Sequence, residues 1–199
     1  RREGQSAWKD YTPYELRSVG ALLRLGQPER AWAMLDFFFK DQRPEGWNQW
    51  AEVVMRNPRE VHFLGDMPHA WVSSDFMRSA LDLFAYERER DHSLVLGAGL
   101  KAEWLQSASG VAVKGLLTAT GTLDYALTPQ HEGWQLEIGS GVNAPSGGFR
   151  LVWPVGLPLP DVALPDGRVL AWQGRELNLP GDVRQVQLSK AAAPAITKP

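Results

Sequence analysis

The spacing of apolar residues changes once along the chain, near Asp91, and that change limits the folds open to it. Before it, apolar positions recur at the spacing of one helix face; after it they alternate, as on a half-buried strand. Helices followed by strands, rather than interleaved with them, predict an α+β chain in two segments instead of a parallel α/β sheet. The expected layout is a helical segment over 1–91, an antiparallel β-sandwich over 92–190 and a loose tail over 191–199. A chain of 199 residues is long enough to enclose a real hydrophobic core.

Thr12-Pro13-Tyr14-Glu15 predicts the first helix start. Thr12 can cap, Pro13 suits the first helical position and Glu15 can close a capping box. Leu16, Val19, Leu22 and Leu23 form an apolar stripe, with Gly20 in it to permit close approach, and Gly26 ends the helix. Gln27-Pro28-Glu29 starts a second helix at once, through Ala31, Met34, Leu35, Phe37 and Phe38 to a stop at Arg43-Pro44. So short a connection predicts an αα-hairpin, with Trp32 and Phe37-Phe38-Phe39 in its core. A third helix is expected from about His69 to Arg88, with Val72, Phe76, Ala80, Leu83 and Phe84 as its apolar face. Its charged end, Glu87-Arg88-Glu89-Arg90, is read as solvated. Three helices with such faces bury themselves poorly, so they are expected to close a larger helical assembly. The opening Arg-Arg-Glu-Gly, without an initiator Met or a signal-peptide pattern, reads as the interior of a longer protein.

Past Asp91, strands are expected at 93–96, 111–113, 123–127, 134–138, 148–153, 169–172, 175–179 and 183–188. Turn signals separate them, among them His131-Glu132-Gly133, Pro165-Asp166-Gly167 and Pro180-Gly181-Asp182. Many short strands with regular turns predict an antiparallel sandwich, with one inserted helical turn at Lys101–Leu105.

Charge narrows the function classes. The net charge is −2, with 13 basic and 15 acidic residues through Asp91 and eight of each after it. Neither part is a polycation, so neither nucleic acid nor an anionic membrane surface is an expected partner. The absence of cysteine excludes disulfides and thiolate metal sites, and no apolar run approaches the length of a membrane span. His62, His92 and His131 are scattered and read as surface or satisfied core residues, so no metal and no other cofactor is expected. There is no phosphate-binding loop and no Gly-x-Ser-x-Gly motif.

Two stretches carry recognisable chemistry: Gly46-Trp47-Asn48-Gln49-Trp50-Ala51-Glu52 and Gly65-Asp66-Met67-Pro68-His69-Ala70-Trp71. Flat indole faces beside amides, carboxylates and an imidazole are what a sugar site needs: apolar surface for the ring and polar atoms for its hydroxyls. On that reading Trp47, Trp50 and Trp71 are walls, Asn48, Gln49, Asp66 and His69 meet hydroxyls, and Glu52 is the reactive carboxylate; Asp75 is a further candidate. The competing reading puts the tryptophans in the core, leaves Glu52 and Asp66 as solvated loop charges, and makes the Gly-Asp-Met-Pro-His run a capped helix start.

The order of features (helical hairpin, Trp50-Ala51-Glu52, a Gly-Asp-Met-Pro-His loop opening a last helix, then strands) resembles the C-terminal end of six-hairpin α/α-barrel glycosidases. The α-L-rhamnosidase-like enzymes and uncharacterised bacterial proteins that often carry discoidin-type modules are the relatives it suggests. Lys101 to Tyr125, with Gly110-Val111-Ala112-Val113 and Thr120-Gly121-Thr122-Leu123-Asp124-Tyr125, resembles the start of their closing β-domain. The resemblance spans nearly the whole chain. It implies the last helices of an α/α toroid followed by a β-sandwich, Glu52 as general base, and His69 at the mouth of the last helix. Asn48 and Gln49 stand where those enzymes carry threonines, and no Arg follows Glu52. The implied chemistry is inverting hydrolysis, or phosphorolysis in a similar barrel. One carboxyl protonates the leaving oxygen and the other activates water, roughly 6.5–9.5 Å away. The acid would lie on an earlier hairpin, making the N-terminal remainder of the barrel a partner alongside the carbohydrate substrate. A periplasmic or extracellular location is implied by the same resemblance. The alternative is a non-catalytic carbohydrate-binding or structural sandwich; glycan binding would need aligned, exposed aromatics among Trp134, Trp153 and Trp172, whereas the alternating strand patterns around Trp153 and Trp172 predict core.

Overall fold

The computed structural model describes residues 10–40, 42, 44–55 and 65–190, so Arg43, His62 and the expected tail at 191–199 lie outside the described residues. The chain divides into two compact units, Arg1–Leu83 and Phe84–Pro199.

In the first unit, strand β1 (Asp10–Tyr11) pairs antiparallel with β2 (Val54–Met55), neither of which the apolar spacing predicts. Thr12 caps as expected: its Oγ1 accepts the Tyr14 N–H at 3.3 Å, and a 3-10 turn over Pro13–Leu16 leads into α1 (Arg17–Arg24). Gly26, at φ 68°, closes α1, with Gln27 N–H donating to Leu22 C=O at 2.9 Å and Gly26 N–H to Leu23 C=O at 3.0 Å. Helix α2 (Pro28–Lys40) follows at once, as the short connection requires. Helix α3 (Ala70–Asp82) packs on α1 where Gly20 stands. A Cβ added there would lie 2.4 Å from Asp82 Oδ2, the atom that Arg24 Nη1 holds at 2.6 Å. Beside it, buried Ser79 donates its Oγ–H to Leu16 C=O at 2.8 Å.

Two helical expectations are corrected. Phe39 is 60% exposed rather than in the hairpin core, because its neighbour Phe38 takes the inward position. The third helix stops at Asp82, and Ala85–Arg88 is a strand, β3. Glu89 to His92 make a tight turn, His92 at φ 51°, which pairs β3 with β4 (Ser93–Leu96) from Ala85↔Leu96 to Arg88↔Ser93. Pairing within a sheet here overrides a local pattern that also suits a helix. The second unit therefore begins ahead of Asp91.

That unit holds α4 (Ala102–Gln106) and two five-stranded sheets. Its further strands are β5 (Val111–Thr118), β6 (Gly121–Gln130), β7 (Gly133–Ile138) and β8 (Phe149–Val152). They are followed by β9 (Asp161–Ala163), β10 (Trp172–Gln173), β11 (Glu176–Leu179) and β12 (Gln185–Ser189). The sheet orders are β10-β11-β8-β4-β3 and β5-β6-β7-β12-β9; every pair is antiparallel except β4–β8. Alternating Leu123, Tyr125 and Leu127 of β6, Trp134, Leu136 and Ile138 of β7, and Phe149 and Leu151 of β8 all point into one core. Strand β9 goes beyond the expected set. Of the expected strand at 169–172 only Trp172 is in a strand, and Val169 is 85% exposed. The architecture is α+β with two antiparallel-rich sheets enclosing a sandwich-like core. Helices α1 to α3 do not by themselves form a toroid.

Candidate functional site

The site is built from backbone outward. Gly46 at φ 81° and Asn48 at φ 52° turn the chain so that Trp50 enters the packed layer, 94% buried, with its ring 5.1 Å from that of Phe76 on α3. Trp50 then accepts the His69 N–H at 2.6 Å, and Glu52 N–H donates to Asp66 C=O at 3.1 Å. Those two bonds lay the 50–52 stretch alongside 66–69. Asp66 returns its own N–H to Glu52 Oε2 at 3.2 Å. Gly65 is needed beside it: its φ is 67°, and a Cβ there would stand 2.0 Å from Oε2. A third segment joins through Thr12, whose Oγ1–H donates to Glu52 C=O at 2.7 Å.

Tyr14 completes the cluster. Its phenol hydrogen-bonds His69 Nε2, and its ring meets His69 and Trp71 edge-on, at 5.3 and 5.9 Å between centroids. The Arg17 guanidinium sits 4.9 Å over the Tyr14 ring and binds Asp75 Oδ2 through Nη2 at 2.8 Å and Nε at 3.1 Å. Desolvation, helped by the negative charge of Glu52 and opposed by Arg17, raises the Tyr14 pKa above its ordinary 10.0, so the phenol stays protonated at neutral pH. Glu52 Oε1 and His69 Nδ1 have no hydrogen-bond partner among the described residues.

Glu52, Asp66, His69 and Trp71 are thus brought together, with Trp71 64% exposed at the edge. Trp47, Asn48 and Gln49 are exposed, and among the described residues none bonds to that group. Trp50 is a support beneath the site rather than a wall, because Phe76 covers its face. Among the described residues Asp75 reaches it through Arg17. The sequence assigns Thr12 and Tyr14 only to a helix start and does not single out Arg17. Nothing local marks a phenol that pairs 55 positions away.

In the second unit the three tryptophans fill the core side of the sheets. Trp134, Trp153 and Trp172 each donate the indole N–H to a backbone carbonyl at 2.8 Å (Leu105, Pro158 and Pro160), and their rings meet in sequence, edge-on at 5.0 Å and tilted at 6.0 Å between centroids. His92 and His131 are exposed at turns. The Arg88 end, expected to be solvated, is an ion cluster: Arg88 binds Glu176 at 2.7 and 2.8 Å and Asp91 at 2.7 and 3.0 Å. Among the described residues no three His, Asp or Glu side chains are grouped to hold a metal ion, and no helix is long and apolar enough to cross a membrane. No family, curated protein or solved structure matches the chain.

Proposed function

We propose that Tyr14, Glu52, Asp66, His69 and Trp71 form a carbohydrate site, and that Glu52 is the general base of an inverting exo-acting glycoside hydrolase. One observation carries this reading. Three stretches distant in sequence converge and leave a carboxylate oxygen and an imidazole nitrogen without hydrogen-bond partners among the described residues, beside an exposed indole. An aromatic face with a few fixed polar atoms suits a sugar ring and its hydroxyls. Tethering Oε2 to the Asp66 N–H orients the carboxylate and leaves Oε1 for a water, the arrangement a base requires.

The general acid belongs, on this reading, to a further hairpin of an α/α toroid. Apolar surface on the helices supports that: Phe39 on α2 and Trp71, Met77 and Leu81 on α3 are each 48% or more exposed. The carbohydrate and the rest of the barrel are then the partners, and a periplasmic or extracellular setting goes with them. On this reading the sandwich has a structural rather than a catalytic role. A glycan-binding role for it would have to do without Trp134, Trp153 and Trp172, whose indole N–H groups are already bonded.

Calorimetry of this chain against monosaccharides and iminosugars tests the reading. The expected result is a dissociation constant on the order of 1 mM for at least one neutral sugar or iminosugar, weakened or retuned by Glu52→Gln. Binding unchanged by both Glu52→Gln and Trp71→Ala would reject it.

A further inference from the structure

We infer that Tyr14 is a positioning residue that locks His69 in the Nδ1–H tautomer, so that Nδ1–H is the donor presented to a ligand oxygen. The inference rests on the carbohydrate reading for the identity of that ligand, a sugar hydroxyl, and on the Tyr14–His69 contact and the donor and acceptor strengths of its two groups for the tautomer.

A neutral imidazole has one acceptor and one donor, and whichever nitrogen accepts leaves the proton on the other. The Tyr14 phenol meets Nε2. Of the two directions open to that bond, phenol O–H to Nε2 pairs the stronger donor with the stronger acceptor, because an unprotonated imidazole nitrogen accepts better than a phenol oxygen. The rest of His69 is already fixed. Its N–H donates to Trp50 C=O at 2.6 Å, and its C=O accepts the Ser73 N–H at 3.1 Å and the Ser73 Oγ–H at 3.0 Å. The backbone therefore anchors the residue at the start of α3, and the phenol sets the ring. Tyr14 is itself braced by the Arg17–Asp75 pair across its face and by the edge of Trp71. Nδ1 has no partner among the described residues, so its proton is the one left for a ligand.

Long-range proton–nitrogen correlation spectra of the labelled chain read the tautomer directly. They are recorded on the alkaline side of the ordinary histidine range, with His69 assigned by loss of its signals in His69→Asn. The expected wild-type pattern is a protonated Nδ1 and an accepting Nε2. Tyr14→Phe, which keeps the ring contacts, should shift the population toward the Nε2–H form that free imidazoles favour. An Nε2–H ring in the wild type, or a pattern indifferent to Tyr14→Phe, overturns the inference. Sugar binding provides the second arm. His69→Asn places an amide N–H where Nδ1–H stands and should retain binding, while His69→Gln should weaken it by about tenfold, the loss of one hydrogen bond. Equal loss in both variants also overturns it. The expected tautomer in a chain that binds no sugar leaves the Tyr14–His69 pair standing and rejects the carbohydrate reading.

Discussion

Gly65 and Gly20 put the heaviest demands on single residues. At Gly65 a methyl would meet Glu52 Cβ at 2.7 Å as well as Oε2, on a backbone that L side chains seldom adopt. Gly65→Ala is therefore expected to cost about 1–2 kcal/mol from the left-handed backbone alone and to displace the Glu52 carboxylate. Thermal unfolding and sugar calorimetry on the same variant should both show a loss; an unchanged pair of measurements would mean that Gly65 does not shape the site. Gly20→Ala brings a helix-propensity gain of about 1 kcal/mol, set against a Cβ 2.9 Å from Arg24 Nη1 and closer still to Asp82. The clash is expected to win, with a net loss of about 1–3 kcal/mol in denaturant melts. The need for a small residue at Gly20 was legible, because a glycine inside an apolar helical stripe signals close approach. Its partner Asp82 was not, since helical spacing says nothing about which helix arrives. Tyr14 escaped notice for the same reason: every local cue assigns it to a helix start.

At the scale of elements, the caps and stops were readable and the last helix end was not. Thr12 and Gly26 act through hydrogen bonds to near neighbours and Pro13 through its own fixed φ, so their chemistry is written locally. Residues 85–88 carry an ambiguous pattern, and what decides it is pairing with β4 and the ion cluster beyond it. Hydrogen bonds from Arg88 hold the Asp91 carboxyl well below its ordinary 3.8, and those from Arg88 likewise depress Glu176 below 4.5. Both pKa values are lower in the folded state, so the stability they confer is fully present above the unfolded values. It drains away as the pH falls through 4.5 and 3.8 toward the folded ones. Near-ultraviolet dichroism of the packed tryptophans should report acid loss of the strand unit over that range. In Arg88→Met the pH dependence should flatten while stability at neutral pH drops; an unaltered acid profile would show that the cluster contributes nothing.

For the whole molecule, alternation was enough to predict a strand half with one core, because residues such as Leu123, Tyr125 and Leu127 need only face one side. Alternation does not name partners, which is why the sheet orders and the parallel β4–β8 pair were out of reach. The same limit applies to the site. Its residue types were legible in two Trp-rich stretches, whereas the convergence with Thr12, Tyr14 and Arg17 depends on the folded helical unit. The proposal that this unit holds the sugar site is tested most directly by mapping backbone amide shifts on titration with the tightest sugar or iminosugar from the calorimetric panel. The perturbed amides should cluster at Tyr14, Glu52, Asp66, His69 and Trp71, with the sandwich silent. Perturbations confined to the strands around Trp134, Trp153 and Trp172 would contradict it and move carbohydrate recognition to the second unit.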